Sequence, residues 1–327
     1  MLSTTAPDSP GWRANLLQFD IRGTTFSVLR AGIALSQILT LVATPYAALM
    51  QSVMDREEAP YCGGIKAISA FCVGGDGVPP TLRVAIIVAL LAAVALGVLP
   101  GPMAVAHAWI SFSLVNSIAL PDGGETIASI ATLILIPIAF SDNRRWVFDR
   151  NPKPLPDFRR GIGYAGVIAL RIQVAIIYLN SAVAKTGVED WANGSAEYYF
   201  VRSYMFGASG WVKSLLEAVT DVPVLVAALT WGVIIGEVTI GLCVLLGPRW
   251  RKIAFIAAAV LHLGIIATIG LWSFATVMIC VVGIACMPTA GRKRLLEMIP
   301  RRIRSGSDEP AETAARSIDQ QPAPALS

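Results

Sequence analysis

The chain has 327 residues, of which 55% are hydrophobic and 15% charged, and its formal net charge is +4. With a mean hydropathy of +0.63, this composition excludes an ordinary soluble domain and points to the membrane class. A nucleic-acid partner is not implied, because the excess of Lys and Arg gathers in clusters that flank apolar stretches and is explained by membrane topology.

The expected fold is all-α: a polytopic membrane protein of about eight transmembrane helices with both termini cytoplasmic. Crossing a bilayer as a helix takes about 20 apolar residues. In chain order, stretches near that length fall at approximately 27–48, 82–99, 102–120, 125–141, 162–185, 222–246, 252–270 and 272–288. The amino-terminal segment, 1–24, is polar and mixed rather than basic and then apolar, so the first helix is expected to act as an uncleaved anchor. A transmembrane domain over 25–290 follows, with long loops at 50–81 and 186–221. The last segment, 291–327, is basic and then rich in Ser, Asp, Glu, Pro, Ala and Gln, a composition expected to stay disordered.

Orientation follows from the bases. Arg144, Arg145, Arg150, Lys153, Arg159 and Arg160 collect after the fourth stretch, where Pro152, Pro154 and Pro156 predict an extended surface linker near anionic lipid. Arg249, Arg251 and Lys252 follow the sixth stretch, and Arg292, Lys293, Arg294, Arg301, Arg302 and Arg304 lie in the tail. Eight crossings put these clusters on one side with Arg13 and Arg22. The loops left on the other side carry Arg56, Lys66, Arg202 and Lys213. The expected location is therefore the bacterial inner membrane, with Lys185 at the outer leaflet.

Lys185 ends an otherwise apolar helix and is followed at once by an aromatic and polar loop. An ammonium in hydrocarbon is costly, roughly 2.5–3.5 kcal/mol at a helix centre, and marks a candidate functional site. Near a helix end its stem can instead reach the interface. Arg171, Tyr178 and Lys185 recur at steps of seven and so share a helix face, with Ser181 and Ala182 between them. That face would line a cavity for a polar ligand or form a seam against neighbouring helices. Glu237 and His262 fall in the middle of the sixth and seventh stretches, where a charge needs a partner. They would form a proton-passing pair, or make interhelical hydrogen bonds. Gly232 and Gly236 support close helix approach beside Glu237.

Trp191, Tyr198, Tyr199, Tyr204, Phe206 and Trp211 lie in the loop after Lys185, with Glu189, Asp190, Glu197 and Arg202 among them. Such residues anchor a chain at headgroup depth and also rim a pocket. Cys62 and Cys72 lie in the first long loop and would form a disulfide in an oxidising compartment, or be two buried small apolar residues. Cys243, Cys280 and Cys286 fall within apolar stretches. The two histidines, His107 and His262, have no metal-ligand spacing, so no metal is expected.

The run YLNSAVAKTGVEDWANGSAEYY resembles the lysine-containing signature of the horizontally transferred transmembrane (HTTM) domain family, related to the membrane domain of vitamin K-dependent gamma-carboxylase. Tyr178, Lys185, Glu189, Asp190, Trp191 and Gly194 carry the pattern. Glu237 with GPRWRK, and His262 with GLWSFATVM, are similar to that family's later helices. The compact form with a Cys-containing first loop looks most like the SdpB (sporulation-delaying protein B) branch, whose members are associated with production of a secreted antimicrobial peptide. The resemblance implies a catalytic set of Lys185, His262 and Glu237, with Lys185 as the base that deprotonates a reduced quinone. Arg171, Tyr178, Trp191 and Tyr198 would bind substrate. A neutral lysine in apolar surroundings is a competent base. This sequence has no counterpart of the carboxylase's large outer domain, which argues against carboxylation itself.

Three functions follow as expectations. The first is maturation or export of a secreted antimicrobial peptide, with membrane lipid, a peptide precursor and an accessory maturation protein as partners. The second is a quinone-dependent oxidoreductase or carboxylase-like enzyme. The third is a transporter or immunity protein with Arg171, Glu237 and His262 as a polar pathway, although paired broken helices and an internal duplication are lacking.

Overall fold

The computed structural model describes residue 16 and residues 18–52, 59–119, 121–149, 153–203 and 207–288. The tail with its basic cluster, together with Arg13, Arg56, Arg150, Tyr204 and Phe206, lies outside the described residues. Each of the eight apolar stretches is occupied by a helix: α1 Thr24–Ala43, α2 Pro80–Ala95, α3 Pro100–Ser117, α4 Gly123–Phe140, α5 Asp157–Thr186, α6 Pro223–Cys243, α7 Pro248–Ile269 and α8 Trp272–Cys286. An isolated antiparallel bridge joins Val98 and Trp146. Five helices, α1, α4, α5, α6 and α7, are long and apolar enough to cross a membrane. The apolar helices α2 and α8 are shorter, and α3 carries His107, Ser111, Ser113 and Asn116.

Local chemistry sets where these helices begin and end. α2, α3, α6 and α7 have proline in their first turn, where the missing N–H costs nothing and the fixed φ suits the helix. α4 opens with a capping box: the Asp122 side chain accepts from the backbone of Gly124 and Glu125, and Glu125 accepts from the Asp122 N–H. α1 stops at Ala43, earlier than its apolar stretch, because Pro45 holds Thr44 extended. α7 ends at Gly270 in the left-handed region, φ 71°, which separates α7 from α8.

Two apolar cores result. The larger lies between α1, α4, α5, α6, α7 and α8, with Leu135, Leu170, Val174, Ile240 and Val282 fully or almost fully buried. The smaller joins α1, α2 and α3 to the first long loop through Phe71, Leu91, Ile110 and Leu114. In that loop a disulfide links Cys62 and Cys72. α8 packs on α1, α4, α5 and α7 and is the most enclosed helix of the larger core.

α5 and α6 lie in direct contact. A Cβ at Gly241 would come within 2.8 Å of Leu179 Cγ and 3.3 Å of the Ala175 carbonyl, so the absence of a side chain sets the approach of these two helices. The glycines expected to do this behave differently. Gly232 and Gly236 have nothing within 4 Å, and the close contact occurs one turn and more later, at Gly241.

One end of the bundle is held by polar contacts. Arg22 donates to Asn143 and to the Lys153 carbonyl, which sets the amino-terminal segment and the linker before α5 at one end. Arg144, counted among the surface bases of that linker, is instead buried in an ion pair of 2.7 Å with Asp142. Asp20 pairs with Arg22 at 2.8 Å. Burial raises the Asp20 carboxyl, but hydrogen bonds and charge from Arg22 outweigh it and hold the group below its ordinary value.

Candidate functional site

Tyr178, Ser181 and Lys185 are spaced by three and four residues, so α5 presents all three along one face. Across from them α6 supplies Glu237 and α7 supplies His262. Lys185 Nζ donates to both carboxylate oxygens of Glu237, at 2.8 and 3.0 Å, and to Ser181 Oγ at 2.7 Å. The Ser181 hydroxyl in turn donates to Glu237 Oε1 at 3.0 Å. The side chains of Lys185 and Glu237 are 21% and 9% exposed. This is a largely enclosed pair in which each charge offsets the cost of burying the other. Lys185 also lies 5.2 Å from the Trp191 ring centroid, in reach of a cation–π contact.

About two turns along α5 from Lys185, the Tyr178 hydroxyl and His262 Nε2 are 2.8 Å apart. The His262 ring meets Phe274 of α8 edge-on, with centroids 5.3 Å apart. Of the two arrangements the sequence leaves open for Glu237 and His262, a mutual pair or separate interhelical hydrogen bonds, the structure has the second: Glu237 bonds to Lys185 and His262 to Tyr178.

Both pairs line one cavity of about 430 Å³. Its walls are mostly apolar, from α5, α6, α7 and α8, and Trp191, Phe200 and Val201 come from the connection between α5 and α6. That connection folds back because Gly194 adopts φ 85° against α6, where a Cβ would approach Ala227 to 3.3 Å. The short helix Ala196–Arg202 then brings Glu197 to the cavity, with its backbone N–H donating to Thr230 of α6. Burial pushes the Glu197 carboxyl up, and the Lys185 charge pulls it down. Read from the sequence, Glu197 is one of several charged residues in an aromatic loop. A carboxylate twelve residues beyond the lysine reaches the same cavity only through that reversal of the chain.

The other expected site residues lie elsewhere. Arg171 is buried lower on α5, where Nε donates to the Ala285 carbonyl at 2.8 Å. It belongs to the α5–α8 packing and does not line the cavity. Tyr198 is turned outward under the Arg202 guanidinium, 3.8 Å from its ring centroid. Trp191 lines the cavity. His107 Nε2 donates to Gln37 Oε1, 3.0 Å away, in a buried polar contact between α3 and α1.

No family model matches the chain, and no solved structure gives a significant match. Two curated proteins of Bacillus subtilis (strain 168) are similar. The uncharacterized protein YitO is 31% identical over 260 residues, covering 77% of this chain and 82% of YitO. The sporulation-delaying protein SdpB is 29% identical over 192 residues, covering 58% of this chain and 59% of SdpB. At this identity and coverage the chain belongs to the family of YitO, an SdpB-like family of helical membrane proteins.

Proposed function

We propose that this chain is a multi-pass membrane factor for maturation or export of a secreted antimicrobial peptide, and that the cavity around Lys185 is its working site. The supporting observation is the joint occurrence, in a chain similar to the sporulation-delaying protein SdpB, of a lysine–glutamate pair and a tyrosine–histidine pair in one apolar-walled cavity. In this reading eight helices cross the membrane, both termini are cytoplasmic, and the cavity opens towards the outer leaflet. The apolar walls hold hydrophobic side chains of the peptide or of its membrane anchor, and the polar groups orient the backbone or a terminal group.

The test is mass spectrometry of secreted peptides from cells carrying the wild type, a deletion, or Lys185→Ala at matched membrane abundance. Loss of the same peptide species in the deletion and in Lys185→Ala is the expected result. Loss in the deletion alone moves the role to assembly or export without the lysine. No change in either strain ends the peptide reading.

An enzymatic reading draws on the same groups. Transfer of a proton from Lys185 to the Glu237 carboxylate, 2.8 Å away, would free the amine as a general base and leave a neutral acid beside it, with the Tyr178–His262 pair next to the reacting atoms. A reduced quinone is the cofactor suggested by the carboxylase resemblance. Purified protein that neither binds nor oxidises a reduced quinone would set that reading aside.

A further inference from the structure

The charged groups lining the cavity do not balance. Two carboxylates, Glu237 and Glu197, face it together with one ammonium, Lys185. Glu237 is fully engaged, since both its oxygens accept from Lys185 and one also accepts from Ser181. The Glu197 carboxylate has no hydrogen-bond partner among the described residues, although its backbone N–H is held by Thr230. The bases nearby are already committed: Arg202 pairs with Asp221 and lies over the Tyr198 ring, and Lys213 is 3.9 Å from Glu217. Glu189 and Asp190, on the short helix between, are exposed. The remaining titratable groups on the walls, Tyr178 and His262, bond to each other. The site therefore lacks one positive charge next to an apolar volume of about 430 Å³, with the aromatic rings of Trp191 and Phe200 beside it.

We infer that the cavity binds a primary ammonium carried on an apolar body, with Glu197 as the residue that pairs with it. The inference rests on the reading of this cavity as the working site, and it names what that site selects. Burial pushes the empty protein's Glu197 towards its neutral form. An incoming ammonium returns the counter-charge that burial took away, and the pair forms a charge-assisted hydrogen bond in apolar surroundings. Two carriers have this chemistry: the free amino terminus of an apolar peptide and the headgroup of an aminophospholipid.

The test uses the full chain purified into phosphatidylcholine nanodiscs, with decylamine as probe and decanol as its neutral match, followed by Trp fluorescence. Saturable decylamine binding is expected at pH 7.5, weakened about tenfold or more in Glu197→Gln, the size of one hydrogen bond to a charged group. Decanol binding should not change between the two proteins. Decylamine affinity should also fall as pH drops towards 5 and Glu197 is protonated, since the amine stays charged throughout. Equal binding of amine and alcohol by the wild type, or an amine preference that survives in Glu197→Gln, overturns the inference. A free apolar hexapeptide that displaces decylamine while its acetylated form does not assigns the site to a peptide. Displacement by phosphatidylethanolamine assigns it to lipid, and displacement by neither overturns the proposal. Because binding is read on purified protein, its failure leaves the secretion experiment untouched, and a failed secretion experiment leaves the binding result standing.

Discussion

Lys185 and Glu237 stabilise one another, so removing one charge exposes the cost of the other. Glu237→Gln leaves an ammonium largely enclosed in apolar walls and should lower stability by about 3 kcal/mol, by analogy with broken buried pairs. The double variant Lys185→Met with Glu237→Leu removes both charges and should recover most of that loss in thermal unfolding. A double variant that folds but yields no mature peptide separates function from stability at these two positions. Tyr178→Phe strands His262 Nε2 without changing shape, and the expected loss is about 1–3 kcal/mol. Glu197 has the opposite sign. Its carboxyl is raised above the unfolded value by burial, so its contribution is fully present at low pH and is lost as pH rises through the raised range. Glu197→Gln should therefore raise the unfolding temperature at pH 8 and leave it unchanged near pH 4.

At the scale of helices, the α5–α6 contact positions the ion pair. Gly241→Leu places a branched side chain against Leu179 and the Ala175 carbonyl. It should cost about 1–3 kcal/mol and move Glu237 away from Lys185, with loss of the cavity's function beyond what the stability change explains. Gly236→Ala has open space around it and should be neutral or stabilising by up to about 1 kcal/mol through helix propensity. Thermal unfolding of the two variants side by side checks the contrast. The same pair of glycines shows what can be read from a sequence. The eight helices were legible because each is a long apolar run bounded by proline or glycine, which a single chain displays directly. The partner of Glu237 was not, because Lys185 is 52 positions away and their meeting depends on how two helices rotate and approach. Neither Gly236 nor Gly241 announces which of them faces α5. Arg171 misled for a related reason: periodicity places it on the face of Tyr178 and Lys185 correctly, yet its depth along α5 assigns it to the contact with Ala285.

For the whole molecule, depth separates the two ends of α5. The helix has 30 residues, about 45 Å at 1.5 Å per residue, which exceeds a hydrocarbon core of about 30 Å. Arg171 and Lys185 are roughly 21 Å apart along it, far enough for one to lie towards the linker end with the basic turn of α7 and the other towards the opposite surface. The helical connection after Lys185, which closes the cavity, then sits on the side away from the basic clusters. Cysteine substitutions test that arrangement, in a background where Cys243, Cys280 and Cys286 are serine. Asp190→Cys should react with an impermeant maleimide in intact cells, and Lys153→Cys should react only after the membrane is opened. The reverse pattern would put the cavity in the cytoplasm. A peptide that has already been secreted could not then reach it, and the site would have to act on the precursor before translocation.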